Sequence, residues 1–158
     1  MGGSQRFRFR ARYTLFAWGM IAIGALFASA PWTAGADGDS GVAALIIGIG
    51  AALLGVLYLV SPAWRIVVVI DDDALEVLSG RDRRFRLAWS EVVRVVASPG
   101  TKTCFVDGGD PSRSLKVPGK GAPAPYDIEG REALFDAIMA HVPPTSVEEV
   151  PFLEVESA

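Results

Sequence analysis

Charge is missing from two long stretches of this chain. Residues 13–30 and 42–60, which are 18 and 19 residues long, contain no Asp, Glu, Lys, Arg or His. A bilayer's hydrocarbon core takes roughly 17–25 apolar residues of helix, so each run is long enough to cross it. A core helix of a soluble protein usually carries a polar stripe along one side, and neither run has one. Transporters and proton pumps place ionisable groups at membrane depth, and these runs offer none. Two bare apolar helices read as an anchor, a hairpin over residues 13–64.

Other shortages narrow the chemistry. A single cysteine, Cys104, excludes an internal disulfide framework and fits a reduced, cytoplasmic setting. In its strand it reads as a small buried hydrophobe. His141 is the only histidine and has no cysteine near it in sequence, so neither a metal centre nor a general base is expected there. No Gly-rich phosphate loop of the required spacing occurs, and Ser90 and Glu91 lack a partner pattern for a nucleophile. Asp71, Asp72 and Asp73 stand consecutively, whereas calcium loops space their carboxylates at alternate positions; they read as a solvated turn. The expectation is a protein with no catalytic residues, cofactor, metal or enzyme activity. After residue 60 the chain has 98 residues with 11 Lys and Arg against 16 Asp and Glu. That is enough for one small domain, and its acidity argues against nucleic-acid binding. No repeat of 20–50 residues is visible.

What basic residues there are sit asymmetrically. Arg6, Arg8, Arg10 and Arg12 precede the first run and Arg65 follows the second, while the connecting loop 31–41 carries Asp37 and Asp39 but no Lys or Arg. Lys and Arg near membrane-spanning ends favour the cytoplasmic side. The expected location is therefore the inner (plasma) membrane of a cell, multi-pass, with both termini cytoplasmic and residues 1–12 a basic cytoplasmic segment. Trp32, Tyr58 and Trp64 fall at the ends of the runs, where amphipathic aromatics settle in the interface. The first run competes as a signal peptide, because Ala28, Ser29 and Ala30 resemble a cleavage site. Its apolar stretch exceeds the ~7–15 residues usual for such a segment, and Pro31 directly after the cut is awkward for a peptidase.

Small residues recur at a spacing of four within both runs: Gly24 and Ala28, in a row that Met20 begins, then Ala44, Gly48 and Ala52. Such spacing lets helix backbones approach closely in lipid. It permits a hairpin or a homo-oligomer without choosing between them.

Short strands follow over residues 65–70, 74–79, 83–89, 92–97, 102–107 and 113–117, separated by turn-forming clusters. In the third, Phe85, Leu87 and Trp89 point one way and Arg84 and Arg86 the other. A helix closes the series, capped by Asp127, with Leu134, Phe135, Ile138 and Val142 on its apolar face and Pro143 and Pro144 ending it. Residues 143–158 read as an acidic, loose tail.

Two stretches carry a family resemblance. Val68, Val69, Ile70, Asp71, Asp72, Asp73, Ala74 and Leu75 look like the entry of bacterial PH-like (pleckstrin-homology-like) domains. Phe85, Arg86, Leu87, Ala88, Trp89, Ser90, Glu91 and Val92 resemble their I-x-W-x-D/E-I segment, with Glu91 where Asp is usual. A pair of membrane helices ahead of such a domain is similar to the arrangement in small bacterial membrane proteins. The resemblance implies an α+β membrane protein: a transmembrane helical hairpin, then a small, mainly antiparallel PH-like β-barrel over residues 65–142 capped by a helix. It carries over no catalytic residue.

Three functions fit this reading. The first is an interaction or scaffolding module that accepts a partner's strand on a sheet edge, with the tail from Thr145 as a possible strand in cis or in another copy. The second is an anionic-lipid sensor using Arg81, Arg83, Arg84 and Arg86, the one basic cluster after residue 65. The third is an accessory subunit of a membrane complex, joined through the hairpin. The expected partners are membrane lipid, a protein not named by the sequence, and a second copy of the chain.

Overall fold

The computed structural model describes residues 4–33, 35, 38–120, 122, 124–151 and 153; Asp37, Glu154 and Glu156 lie outside them. The chain forms two compact units, Ala11–Ser61 in one and Met1–Arg10 with Pro62–Ala158 in the other. Its first element is the strand β1 (Gln5–Ala11). The helices α1 (Thr14–Thr33) and α2 (Asp39–Leu59) come next, then a 3-10 turn at Pro62–Arg65. The strands β2 (Ile66–Ile70), β3 (Ala74–Ser79), β4 (Asp82–Ala88), β5 (Arg94–Ser98), β6 (Thr103–Asp107), β7 (Leu115–Val117) and β8 (Tyr126–Ile128) lead to α3 (Arg131–His141) and a last strand, β9 (Val147–Glu149).

In the helical unit, α1 and α2 are both long and apolar enough to span a membrane. They run antiparallel, so the Tyr13 N–H at one end donates to the Tyr58 hydroxyl at 3.0 Å. Glycine makes their contact possible. A Cβ on Gly24 would sit 2.5 Å from the Gly48 carbonyl oxygen and 2.7 Å from the Ala52 nitrogen, and one on Gly48 would collide with the backbone of Ala28 and Gly24. Gly24, Ala28, Gly48 and Ala52 therefore meet across the two helices, while Ala44 is half-buried. A second row, Gly41, Gly48 and Gly55, is buried at a spacing of seven, and Gly55 faces Ala17 and Ile21. Spacing by four does not reveal that row.

The other unit contains two sheets. One has the order β4-β3-β2-β1-β8 and the other β7-β6-β5-β9. Pairing is antiparallel except for β5 with β9. The expected closed barrel is not formed; among the described residues both sheets stay open. α3 buries Leu134, Phe135 and Ile138 in one core with Val68, Leu75, Leu87, Val95, Val106, Val117 and Ile128. This helix begins at Gly130, whose φ of 68° needs a residue without Cβ strain. Asp127, expected as its cap, lies in β8. There it accepts from the Ile128 N–H at 2.9 Å and pairs with Arg131 at 3.2 Å.

The two ends of the chain differ most from expectation. Residues 1–12 read as a basic segment set apart from the domain, yet Gln5–Ala11 is an inner strand, between β2 and β8. Its alternation explains this: Phe7 and Phe9 are buried, and Arg6, Arg8 and Arg10 are exposed. Phe9 stacks on Tyr126, centroids 4.8 Å apart and planes 16° apart. Residues 143–158 read as a loose tail, yet Val147–Glu149 lies parallel to β5. The pairing is extended by the Val150 N–H donating to the Ala97 carbonyl at 2.9 Å and by Ser98 Oγ donating to the Pro151 carbonyl at 3.1 Å. Apart from the barrel closure, the middle of the domain follows the predicted strands within two residues.

Phe7→Ala empties a buried aromatic site in the middle of a sheet. It is expected to lower the domain's unfolding free energy by about 3–5 kcal/mol, measured by urea titration of the detergent-solubilised full chain through Trp89 fluorescence, with Trp18, Trp32 and Trp64 replaced by Phe in every variant compared. Arg6→Ala, on the exposed side of the same strand, is expected to stay within about 0.5 kcal/mol.

Candidate functional site

The arginine cluster sits on the β3–β4 hairpin. Gly80 turns the chain at φ 66°, and its N–H donates to the Arg65 carbonyl at 3.1 Å. Arg81 is exposed in that turn. Leu78 pairs with Arg83 and Val77 with Phe85, so Arg84 is the extra residue of a β-bulge. A bulge breaks the alternation of a strand and re-aims its side chains. Arg83 Nε holds Glu76 Oε1 at 2.7 Å, and Arg86 stands opposite Glu76. All four arginines are exposed.

Two of these arginines, Arg83 and Arg86, share a sheet face with others far away in sequence. Arg6 pairs with Val69 and Arg8 with Val67; Val69 pairs with Glu76 and Val67 with Leu78. One row across the sheet therefore reads Arg6, Val69, Glu76, Arg86, and the next reads Arg8, Val67, Leu78, Arg83. Side chains in a row point to the same face, the one opposite Phe7, Val68, Val77 and Leu87. Arg10 lies farther along β1 and reaches Asp127 at 3.4 Å. Exposed pairs such as this contribute roughly 0–1 kcal/mol each. The sequence already held the signal for this face: strict alternation of Arg and Phe from Arg6 to Arg10 marks a half-buried strand.

The residues of the second motif hold the end of β4. Leu87 is fully buried and Phe85 half-buried against the same core. Trp89 follows β4 in a short 3-10 turn, Trp89–Glu91. Its indole N–H donates to the Asp71 carbonyl at 3.0 Å, and its ring stacks on His141 at 5.0 Å. Glu91 Oε2 accepts from the Ala88 N–H at 3.1 Å and from Arg113 Nη2 at 2.9 Å. Arg113 Nη2 also donates to the Arg86 carbonyl at 3.2 Å. The Ala88 N–H first, and then the Arg113 charge, hold the Glu91 carboxyl below its ordinary range. Glu91 is thus a clasp between β4 and the turn Pro111–Arg113.

Other candidates fall into structural roles. His141 Nδ1 donates to the Ala137 carbonyl at 2.8 Å, and its Nε2 stands 4.0 Å from Asp72 Oδ1. Burial raises the Cys104 thiol to about 12, which leaves it inert as a nucleophile. No group of three metal-ligating side chains occurs among the described residues. Comparison with protein-family models, curated proteins and solved structures gives no match.

The Glu91 clasp has a definite pH dependence. A carboxyl whose folded pKa is depressed adds stability above its unfolded value and loses it as pH falls through the folded one. The advantage of the natural chain over Glu91→Gln is therefore expected above the ordinary value of 4.5 and to vanish as pH drops beneath it. Paired urea titrations at pH 7 and at progressively lower pH measure it; a difference that persists unchanged into acid contradicts the ionic clasp.

Proposed function

We propose that this chain is a two-pass protein of the cytoplasmic membrane and that its sheet unit is a PH-like interaction module held at the inner face. The observation that carries the reading is the pairing of β1 with β2. These strands are neighbours in one sheet, yet the whole of α1 and α2 lies between them in sequence. Both ends of the helical insertion must then emerge on the same side of any membrane it enters, which an even number of crossings provides. The arginines before α1 and after α2, with none between, favour the cytoplasm for that side. Only 11% of each candidate span is buried, whereas a core helix of a soluble protein is mostly covered. Cleavage after Ala30 would discard Phe7 and Phe9 from the core, which weighs against a signal peptide.

The interaction role draws on the way this sheet already takes up a strand. β9 adds to the edge of β5 through three register pairs, Val95 with Val147, Val96 with Glu148 and Ala97 with Glu149. Backbone pairing of this kind gives affinity, and alternate side chains give selectivity. What supports the PH-like reading is coarser: two open, mostly antiparallel sheets and one amphipathic helix, α3, packed on their shared core.

Affinity capture from native membranes tests the role. The tagged full chain is compared with residues 11–61, the helical unit alone. A partner retained by the full chain and lost from the helical unit is the expected result. A partner retained equally by both would place the interface in the helices and contradict an interaction module in the sheet unit.

A further inference from the structure

We propose that one end of the five-stranded sheet docks on anionic phospholipid headgroups through arginines drawn from two separate segments of the chain. The inference rests on the two-pass reading and adds a ligand and a surface to it.

Strand register defines that end. Arg8 is level with Val67, Ile66 with Ser79, and Ser79 with Asp82. The last residues of β1, the first of β2 and the turn between β3 and β4 therefore share one end of the sheet. It is the end at which the chain leaves for α1 and returns from α2. Arg8 and Arg10 come from β1, Arg65 from the residue before β2, and Arg81, Arg83 and Arg84 from the β3–β4 hairpin. β1 and β4 lie three strand spacings apart, about 14 Å. Arginines thus bracket the half-buried Val67 and Leu78.

The charges at this end are mostly unspent. Glu76 engages Arg83, Asp127 engages Arg10, and Asp82 is exposed at the start of β4. Arg8, Arg65, Arg81 and Arg84 have no carboxylate partner among the described residues. Guarding a sheet edge against pairing accounts for arginines on β4. It does not account for Arg8, because β1 is an inner strand with neighbours on both sides. A second observation is the tether. Only Arg12 and Tyr13 separate β1 from α1, a span of at most about 11 Å. If α1 enters the bilayer, Arg8 and Arg10 stay near its surface. The planar guanidinium fork suits phosphate oxygens, and an anionic leaflet attracts basic side chains within about a Debye length.

The test uses the full chain in nanodiscs of phosphatidylcholine alone or with phosphatidylglycerol. Insertion is checked first, by co-migration with the discs and resistance to alkaline extraction in both lipids; failure there refutes the two-pass reading. A bimane on Asp82→Cys then reports proximity to a headgroup-attached nitroxide quencher, the buried Cys104 staying unlabelled. Quenching is expected with phosphatidylglycerol, to weaken in phosphatidylcholine, and to fall in 1 M salt, where screening shortens to about 3 Å. Arg8→Gln, Arg81→Gln and Arg84→Gln together are expected to reduce the docked-to-free ratio roughly 100-fold, about five-fold per arginine, and the three Lys replacements to retain it. Equal quenching in the two lipids, or quenching indifferent to the Gln substitutions in an inserted protein, overturns the proposal.

Discussion

The pairing of β1 with β2 and β8 is the contact on which the rest depends. It places Phe7 and Phe9 in the core, completes the five-stranded sheet and returns the chain to its starting level after two helices. Backbone hydrogen bonds in a sheet form between strands in the same aqueous compartment, whereas in lipid only helices and closed barrels satisfy their polar groups. One ladder of β-pairing thus constrains the topology of a segment that it does not touch. The domain consequently lacks an inner strand until the chain on both sides of the helical insertion is present. Contacts so distant in sequence make its folding non-local and slow.

Two opposing patterns of residue use support this arrangement. The helices meet through small residues, the kind of contact that suits lipid, where bringing two apolar surfaces together gives no hydrophobic gain and close backbone packing supplies the attraction. The sheets meet α3 through Val, Leu and Ile, which water drives into a shared core. Gly24, Gly48 and Gly55 belong to the first pattern, and Leu75, Leu87 and Leu134 to the second. The same side chains would serve poorly if exchanged between the two units.

Much of this was legible in the sequence, and the exceptions have physical causes. Strands β2 to β7 announce themselves by alternation and turn clusters, and α3 by its apolar face. β1 was obscured because its arginines also satisfy the pattern of basic residues before a membrane helix, and one explanation hid the other. β8 and β9 have only three residues each, too few for periodicity to register without the flanking turn clusters that marked the equally short β7. Gly130 displaced Asp127 as the start of α3 because Asp127 is occupied in β8. Arg81, Arg83, Arg84 and Arg86 were visible as a cluster, but the alignment of Arg86 with Arg6 and of Arg83 with Arg8 depends on register across four strands, which local sequence does not encode. Glu91 stood out through a motif resemblance; its bonds to Ala88 and Arg113 give that position a structural reason.

The most direct measurement is disulfide cross-linking of the full chain as expressed in cells. Arg8 and Val67 face each other in register, and Cα atoms of such pairs lie about 4.5–5.5 Å apart, within reach of a disulfide. Oxidation of the Arg8→Cys, Val67→Cys chain is expected to give an intramolecular bridge in high yield. The pair Gln5→Cys, Val67→Cys, three positions out of register, is expected to give little. Failure of the first pair to bridge, or equal bridging by both, would contradict the strand pairing from which the topology follows.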